Sequence, residues 1–207
     1  MLVVKGLLMK NKIILFILII VLTYSIGGIC YVKFIDNKEE KVTNLEVIDK
    51  FEYTLKSNAN ALYKEEFNKL KANLTSEVIN EEEYALSVAK LFIIDLYTLN
   101  NKMNKYDVGG TDFVYPLNID NYKLNVQDTL YKYLEDNSNN NRNQELPEVN
   151  YIEIIDYEKG TYEYNNVTFD AYTINLKWDY VLDYEYSKSA KVIVIYENSK
   201  YYIAEVE

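Results

Sequence analysis

From Ile13 to Val32 the chain runs twenty residues without a charge, beginning Ile-Ile-Leu-Phe-Ile-Leu-Ile-Ile-Val-Leu. As a helix this run extends about 30 Å, the thickness of a bilayer's hydrocarbon layer. A buried core helix seldom runs that long without a polar face. Tyr24 and Tyr31 sit in its downstream half, and Lys10, Lys12 and Lys33 bracket it as interfacial anchors do. The run predicts a transmembrane helix over 13–32, which would make membrane lipid the first partner.

A cleaved signal peptide has a shorter apolar region, of about 7 to 15 residues, and a small-x-small cleavage site. No such site follows this run. Acylation of Cys30 would place bulky Ile29 where lipoprotein signals resemble one another in carrying Gly, Ala or Ser. An uncleaved anchor is therefore expected. Lys5, Lys10 and Lys12 precede the span, while Lys33, Lys38 and Lys41 follow it, so a count of charges does not orient the helix. The upstream flank is short and free of acids, whereas a long downstream domain translocates largely regardless of its charge. The expected arrangement is a cytoplasmic tail at 1–12, the span, a charged stalk at 33–43, and a domain at 44–207 outside the cell membrane.

Composition narrows the chemistry of that domain. Residues 1–32 hold three Lys and no acid, so the rest carries 19 basic against 32 acidic residues, a formal charge of −13. Nucleic-acid affinity rests on clustered Lys and Arg at phosphates, which argues against nucleic acid as a partner. The 207 residues include no His, which removes Ser-His-Asp and Cys-His catalysis and the usual zinc ligand sets. One Cys cannot form an internal disulfide, so packing alone must hold the fold.

Three amphipathic helices are expected first. In about 59–74, Tyr63, Phe67, Leu70 and Leu74 fall at i, i+4, i+7 and i+11 on one face. In the second, Asn80 followed by Glu83 fits a cap, ahead of Tyr84, Val88, Leu91, Phe92, Leu96 and Leu99. In about 119–134, Ile119, Tyr122, Val126, Leu130 and Tyr133 share a side. A short strand or extended entry over 46–55 precedes them. Between the second and third helices, Gly109-Gly110 implies positive φ or a tight approach to a neighbour, and Asp107 reads as the residue that shapes this turn.

From Val149 onward the period becomes two. Tyr172, Ile174, Leu176, Trp178 and Tyr180 alternate with polar residues, and Val192, Val194 and Tyr196, then Tyr202, Ala204 and Val206, continue one dry face. With Val149–Tyr157 and Thr161–Tyr164 the fold class is α+β: an N-terminal transmembrane helix, then about three helices packed on an antiparallel sheet of four or five strands.

An anchor, a stalk, a helical half and then a long curved antiparallel sheet resembles the nuclear transport factor two-like cone found in inner-membrane assembly proteins of type IV secretion and conjugation. Asp107-Val-Gly-Gly-Thr-Asp-Phe-Val-Tyr, Asp128-Thr-Leu-Tyr-Lys-Tyr, Asp170-Ala-Tyr and Trp178-Asp-Tyr are similar to segments of single-pass envelope proteins of low-GC Firmicutes, a group with no assigned activity. The resemblance implies a cone-like domain and an envelope protein as partner.

Twenty Tyr lie outside the apolar run, each joining a large ring to a hydroxyl that wants a partner. One reading is a pocket walled by Tyr172, Trp178 and Tyr180 that holds an apolar ligand or peptide; the other is that these rings fill the core. Asp107, Asp112, Asp170, Asp179 and Asp183 show no spacing that pairs two acids, and Ser187-Lys188-Ser189 alternates across a strand. Asn137–Asn143 lacks the closing Glu of a calcium loop. No metal, cofactor or catalysis is expected. Thr23 and Gly27 allow close helix contact and with it homo-oligomerisation. The expected function is contact with other proteins.

Overall fold

The computed structural model describes residues 43–207; the expected tail, membrane span and all of the stalk but Thr43 lie outside the described residues. Among the described residues no helix is long and apolar enough to cross a membrane. Among the described residues the fold is α+β, with three α-helices, a four-stranded antiparallel sheet and a small hairpin.

The hairpin pairs β1 (Asn44–Ile48) with β2 (Tyr53–Lys56), in place of the short strand or extended entry expected there. Glu52 turns the chain at φ 57°, which leaves Phe51 in the turn yet buried beside Tyr53 and Leu55. Helix α1 (Ala61–Leu74) starts where Asn60 accepts a hydrogen bond from the Tyr63 N–H at 2.8 Å. The same Asn60 donates to the Val149 carbonyl at 2.8 Å, so one cap also ties the helix to the sheet. Tyr63, Phe67, Leu70 and Leu74 are all buried, as their spacing predicts.

Helix α2 (Glu81–Tyr97) is capped by Asn80 at the Glu83 N–H, and Glu81, Glu82 and Glu83 oppose the positive end of its dipole. Its middle is buried almost all round, from Tyr84 through Ile94, broader than the expected stripe. A helix apolar on every side must be central, and this one touches α1 and all four strands of the sheet.

Helix α3 (Ile119–Asp128) ends six residues before the expected Leu134. Thr129 leaves helical geometry at φ −119°, ψ −91°, with its hydroxyl on the Asn125 carbonyl at 2.7 Å. The phase is broken there. Tyr131 turns inward, fully buried with its hydroxyl on the Leu96 carbonyl at 2.7 Å, and Tyr133 is 78% exposed instead of facing the core.

The sheet runs β3 (Val149–Tyr164), β4 (Val167–Tyr180), β5 (Ser189–Glu197), β6 (Lys200–Val206) in spatial order. The two expected segments at 149–157 and 161–164 are one strand, because Gly160 continues the ladder opposite Ala171. Asn165-Asn166 and Asn198-Ser199 have positive φ at both turn positions, the twist that two-residue hairpins favour. Tyr172, Ile174, Leu176, Trp178 and Tyr180 share the dry face against the helices. In β6 the expected face is corrected: Tyr201 and Ile203 point inward, while Tyr202 and Ala204 face the other way. The ladder pairs Val194 with Ile203 but Ile193 with Glu205, and the extra residue, Ala204, shifts the alternation. The second face is not wholly wet, since Tyr115 packs there on Phe169, Ala171 and Ile195.

Candidate functional site

The three residues expected to wall a pocket are packed. Tyr172, Trp178 and Tyr180 are 4%, 1% and 7% exposed. The Trp178 ring lies 4.8 Å from that of Tyr97, and its Nε1–H donates to the Tyr180 hydroxyl at 2.9 Å, which in turn donates to the Ser187 carbonyl at 2.6 Å. Burial pushes the Tyr180 hydroxyl's pKa up, so it stays a donor at any physiological pH. Tyr172 meets Tyr201 at 5.9 Å.

At the other side of the same interior, the Tyr53 hydroxyl lies 2.9 Å from that of Tyr84 and donates to the Tyr201 carbonyl at 3.0 Å. Phe51, Tyr84 and Phe113 close around Tyr53, and the Lys200 ammonium sits 4.4 Å from its ring centre. These hydroxyls find partners inside the protein, which lets tyrosine serve as core.

The acids are dispersed. Asp107 takes the Met103 N–H at 3.0 Å and so shapes the loop it stands in. Asp112 accepts from both the N–H and the hydroxyl of Thr54, pinning β2. Asp179 and Asp183 pair with Lys188, whose neighbour Ser187 donates to the Ser189 carbonyl. Among the described residues no group of three or more His, Cys, Asp or Glu is placed to hold a metal ion.

Sequence spacing did not bring out Asp95. It accepts from Lys102, which is only 2% exposed, and from the Gly110 N–H at 2.7 Å. Burial pushes the Asp95 carboxyl up, but Lys102, Lys56 and the Gly110 N–H outweigh it and hold it below the usual range. Both expectations for the glycine pair are met here. A Cβ at Gly109 would strike the Asp95 carbonyl, and Gly110 has φ 76° with Phe92 2.7 Å from where a Cβ would be. The cavity beside Asp95, Asp112 and Thr98 measures about 10 Å³, room for one water and nothing larger.

The larger opening lies elsewhere. A groove of about 380 Å³ runs between α3 and β6, with the last turns of α2 as its floor. Phe92, Leu96, Val126, Leu130, Ile203 and Val206 supply apolar surface. Asn118, Asn121, Asn125 and Thr129 line one rim, at i, i+3, i+7 and i+11 on the α3 segment. Glu205 is the one ionisable carboxylate among its lining residues. Leu117 and Leu124, 69% and 60% exposed, stand on a flank of the same segment. Apolar lining with a few polar groups, at this volume, is the form of surface that takes up a side chain or a small apolar body.

Comparison of the chain with protein-family models, curated proteins and solved structures gave no match.

Proposed function

We propose that residues 13–32 hold the chain in the cell membrane with its N-terminus in the cytoplasm, and that residues 44–207 act outside as a non-enzymatic, cone-like domain that works through protein contacts. The observation that carries this reading is the groove between α3 and β6. It is open, apolar within, rimmed by amides and flanked by exposed Leu117 and Leu124, whereas the interior under Trp178 is filled. A partner in the cell envelope, inserting an apolar side chain there, is the reading the geometry supports best. A small apolar ligand is the second reading, supported by the groove's volume, which falls within the range of ligand pockets.

Photocrosslinking from the full-length chain in its own cells tests the first reading. A photoreactive residue in place of Asn125 should trap a protein that the same residue in place of Glu158, on β3, does not trap, and Val126→Trp should abolish the adduct by filling the groove. Equal adducts from both positions, or full-length chain free in the cytosolic extract, would overturn it.

A further inference from the structure

Resting on that reading of the groove, we infer that its occupant is an extended peptide segment of the partner, carrying an apolar residue next to a lysine or arginine. Three observations on different walls converge on this chemistry.

The first is length and amide chemistry. From Asn118 to Thr129 the rim rises about 16 Å along the helical segment, the span of roughly five extended residues. Asn118 is engaged by the Tyr164 hydroxyl at 2.7 Å and donates to the Ala204 carbonyl at 3.3 Å, which closes that end. Further along, the Asn121 amide and the Asn125 side-chain N–H groups have no hydrogen-bond partner among the described residues. The Asn125 oxygen already takes the Thr129 hydroxyl at 3.3 Å, so Asn121 offers a donor and an acceptor and Asn125 a donor, groups that complement a peptide backbone.

The second is the opposite wall, β6, the edge strand of the sheet. Among the described residues its outer edge has backbone pairing at one place: the Ile203 N–H donates to the Phe113 carbonyl at 2.7 Å, and the Ile203 carbonyl accepts from the Tyr115 N–H at 2.9 Å. Glu207 exchanges both backbone bonds with Lys191, at 2.8 and 2.9 Å, so alternation aims the N–H and C=O of Val206 outward. No backbone partner among the described residues meets them. A strand entering the groove would extend the pairing that the Phe113–Tyr115 segment begins, and its alternate side chain would drop onto the apolar floor.

The third is charge. The Glu205 carboxylate receives the Tyr162 hydroxyl at 2.9 Å and no Lys or Arg among the described residues, while its neighbour Glu207 is paired with Lys191 at 2.5 Å. An uncompensated carboxylate beside an apolar slot, on a chain segment of net charge −13, favours a cation next to the inserted residue and repels an acid.

The test is a titration of full-length chain in detergent micelles, followed by the methyl NMR signals of Val126, Ile203 and Val206. The probes are acetyl-Gly-Leu-Lys-Gly-Gly-amide, the same peptide with Glu for Lys, and 1-hexanol. The lysine peptide should shift those methyls and bind about three- to fivefold more tightly than the glutamate peptide, the size of an exposed ion pair. Glu205→Gln should shrink that preference below about twofold without moving the melting temperature. Equal binding of the two peptides overturns the cationic preference and leaves the groove reading intact. Shifts with hexanol alone overturn the peptide and favour the small ligand. Concentration-dependent shifts without any probe assign the groove to a second copy and overturn the proposed occupant. No shift with any probe overturns the groove reading itself.

Discussion

Two parts of the molecule share the walls of α2 and the sheet and end differently. Around Tyr53, Tyr84, Tyr201 and Trp178 the space is filled, and the Tyr53 and Tyr84 hydroxyls and the Trp178 indole N–H each meet a partner within 3.0 Å. Between α3 and β6 about 380 Å³ stays open. Residue size does not explain this, since Phe92, Tyr97 and Tyr122 border the open part too. The backbone differs. Helix α3 stops at Asp128, and the register of β6 shifts at Ala204, so both walls of the open part leave regular geometry. The filled part is closed by side-chain chemistry, and the open part is bordered by two backbone irregularities.

The sharpest way to break this contrast is to hollow the filled part. Trp178→Ala should destabilise the chain by about 3 to 5 kcal/mol in a denaturant melt, because a fully buried ring leaves a cavity that its neighbours cannot collapse into. An unchanged midpoint would mean that the interior tolerates voids and that the groove is nothing distinct.

Next comes the ion pair beneath the glycine turn. Asp95→Asn should cost about 3 kcal/mol at neutral pH, since Lys102 is left buried without its counter-charge. The sign with pH follows from the lowered carboxyl. In the unfolded chain Asp95 titrates near 3.9, and in the fold it titrates lower. Its stabilisation is complete above the unfolded value and is lost as pH falls through the folded one. The gap between wild type and Asp95→Asn should therefore narrow below about pH 4. A constant gap down to acid pH would show that Asp95 acts through shape and not charge.

A smaller loss is expected from Gly109→Ala, about 1 to 3 kcal/mol, because the new methyl meets the Asp95 carbonyl and the loop must move. Thermal melting reads this directly. A loss under about 0.5 kcal/mol, the size of an ordinary surface substitution, would show that the loop yields and that the turn is looser than its geometry suggests.

Much of the filled part is legible in the sequence, and the reason is periodicity. Tyr63, Phe67, Leu70 and Leu74 mark α1, and Tyr172 through Tyr180 mark the dry face of β4, because a regular backbone repeats its side-chain direction. The doubled glycine was equally readable, as few other residues could stand there. What stayed hidden sits where the backbone leaves its period. Nothing in Asp128-Thr-Leu-Tyr-Lys-Tyr announces that Thr129 breaks the helix, so Tyr133 took the inward place that Tyr131 holds. Tyr202 and Ala204 fall off the expected face for the same reason, since Ala204 is the extra residue of a bulge. The groove lies between those two irregularities, which is why the residues expected to form a pocket, Tyr172, Trp178 and Tyr180, lie in the core and none lines the groove. Asp95 escaped notice because its partner Lys102 lies seven residues on, past the end of the helix.

The smallest effect is the most informative about the open part. Asn121 is exposed at the rim and its side chain has no hydrogen-bond partner among the described residues, so Asn121→Ala breaks no internal hydrogen bond and should change stability by less than about 0.5 kcal/mol. A rim held for packing would behave otherwise, and a loss above about 1 kcal/mol would place Asn121 in the structural economy of α3. If stability holds while the lysine peptide no longer shifts the Ile203 methyl, the amide is there for a visitor. Trp178→Ala should show the converse, a large loss of stability with the groove's peptide preference retained in whatever fraction stays folded, since Trp178 is not among the residues that line it.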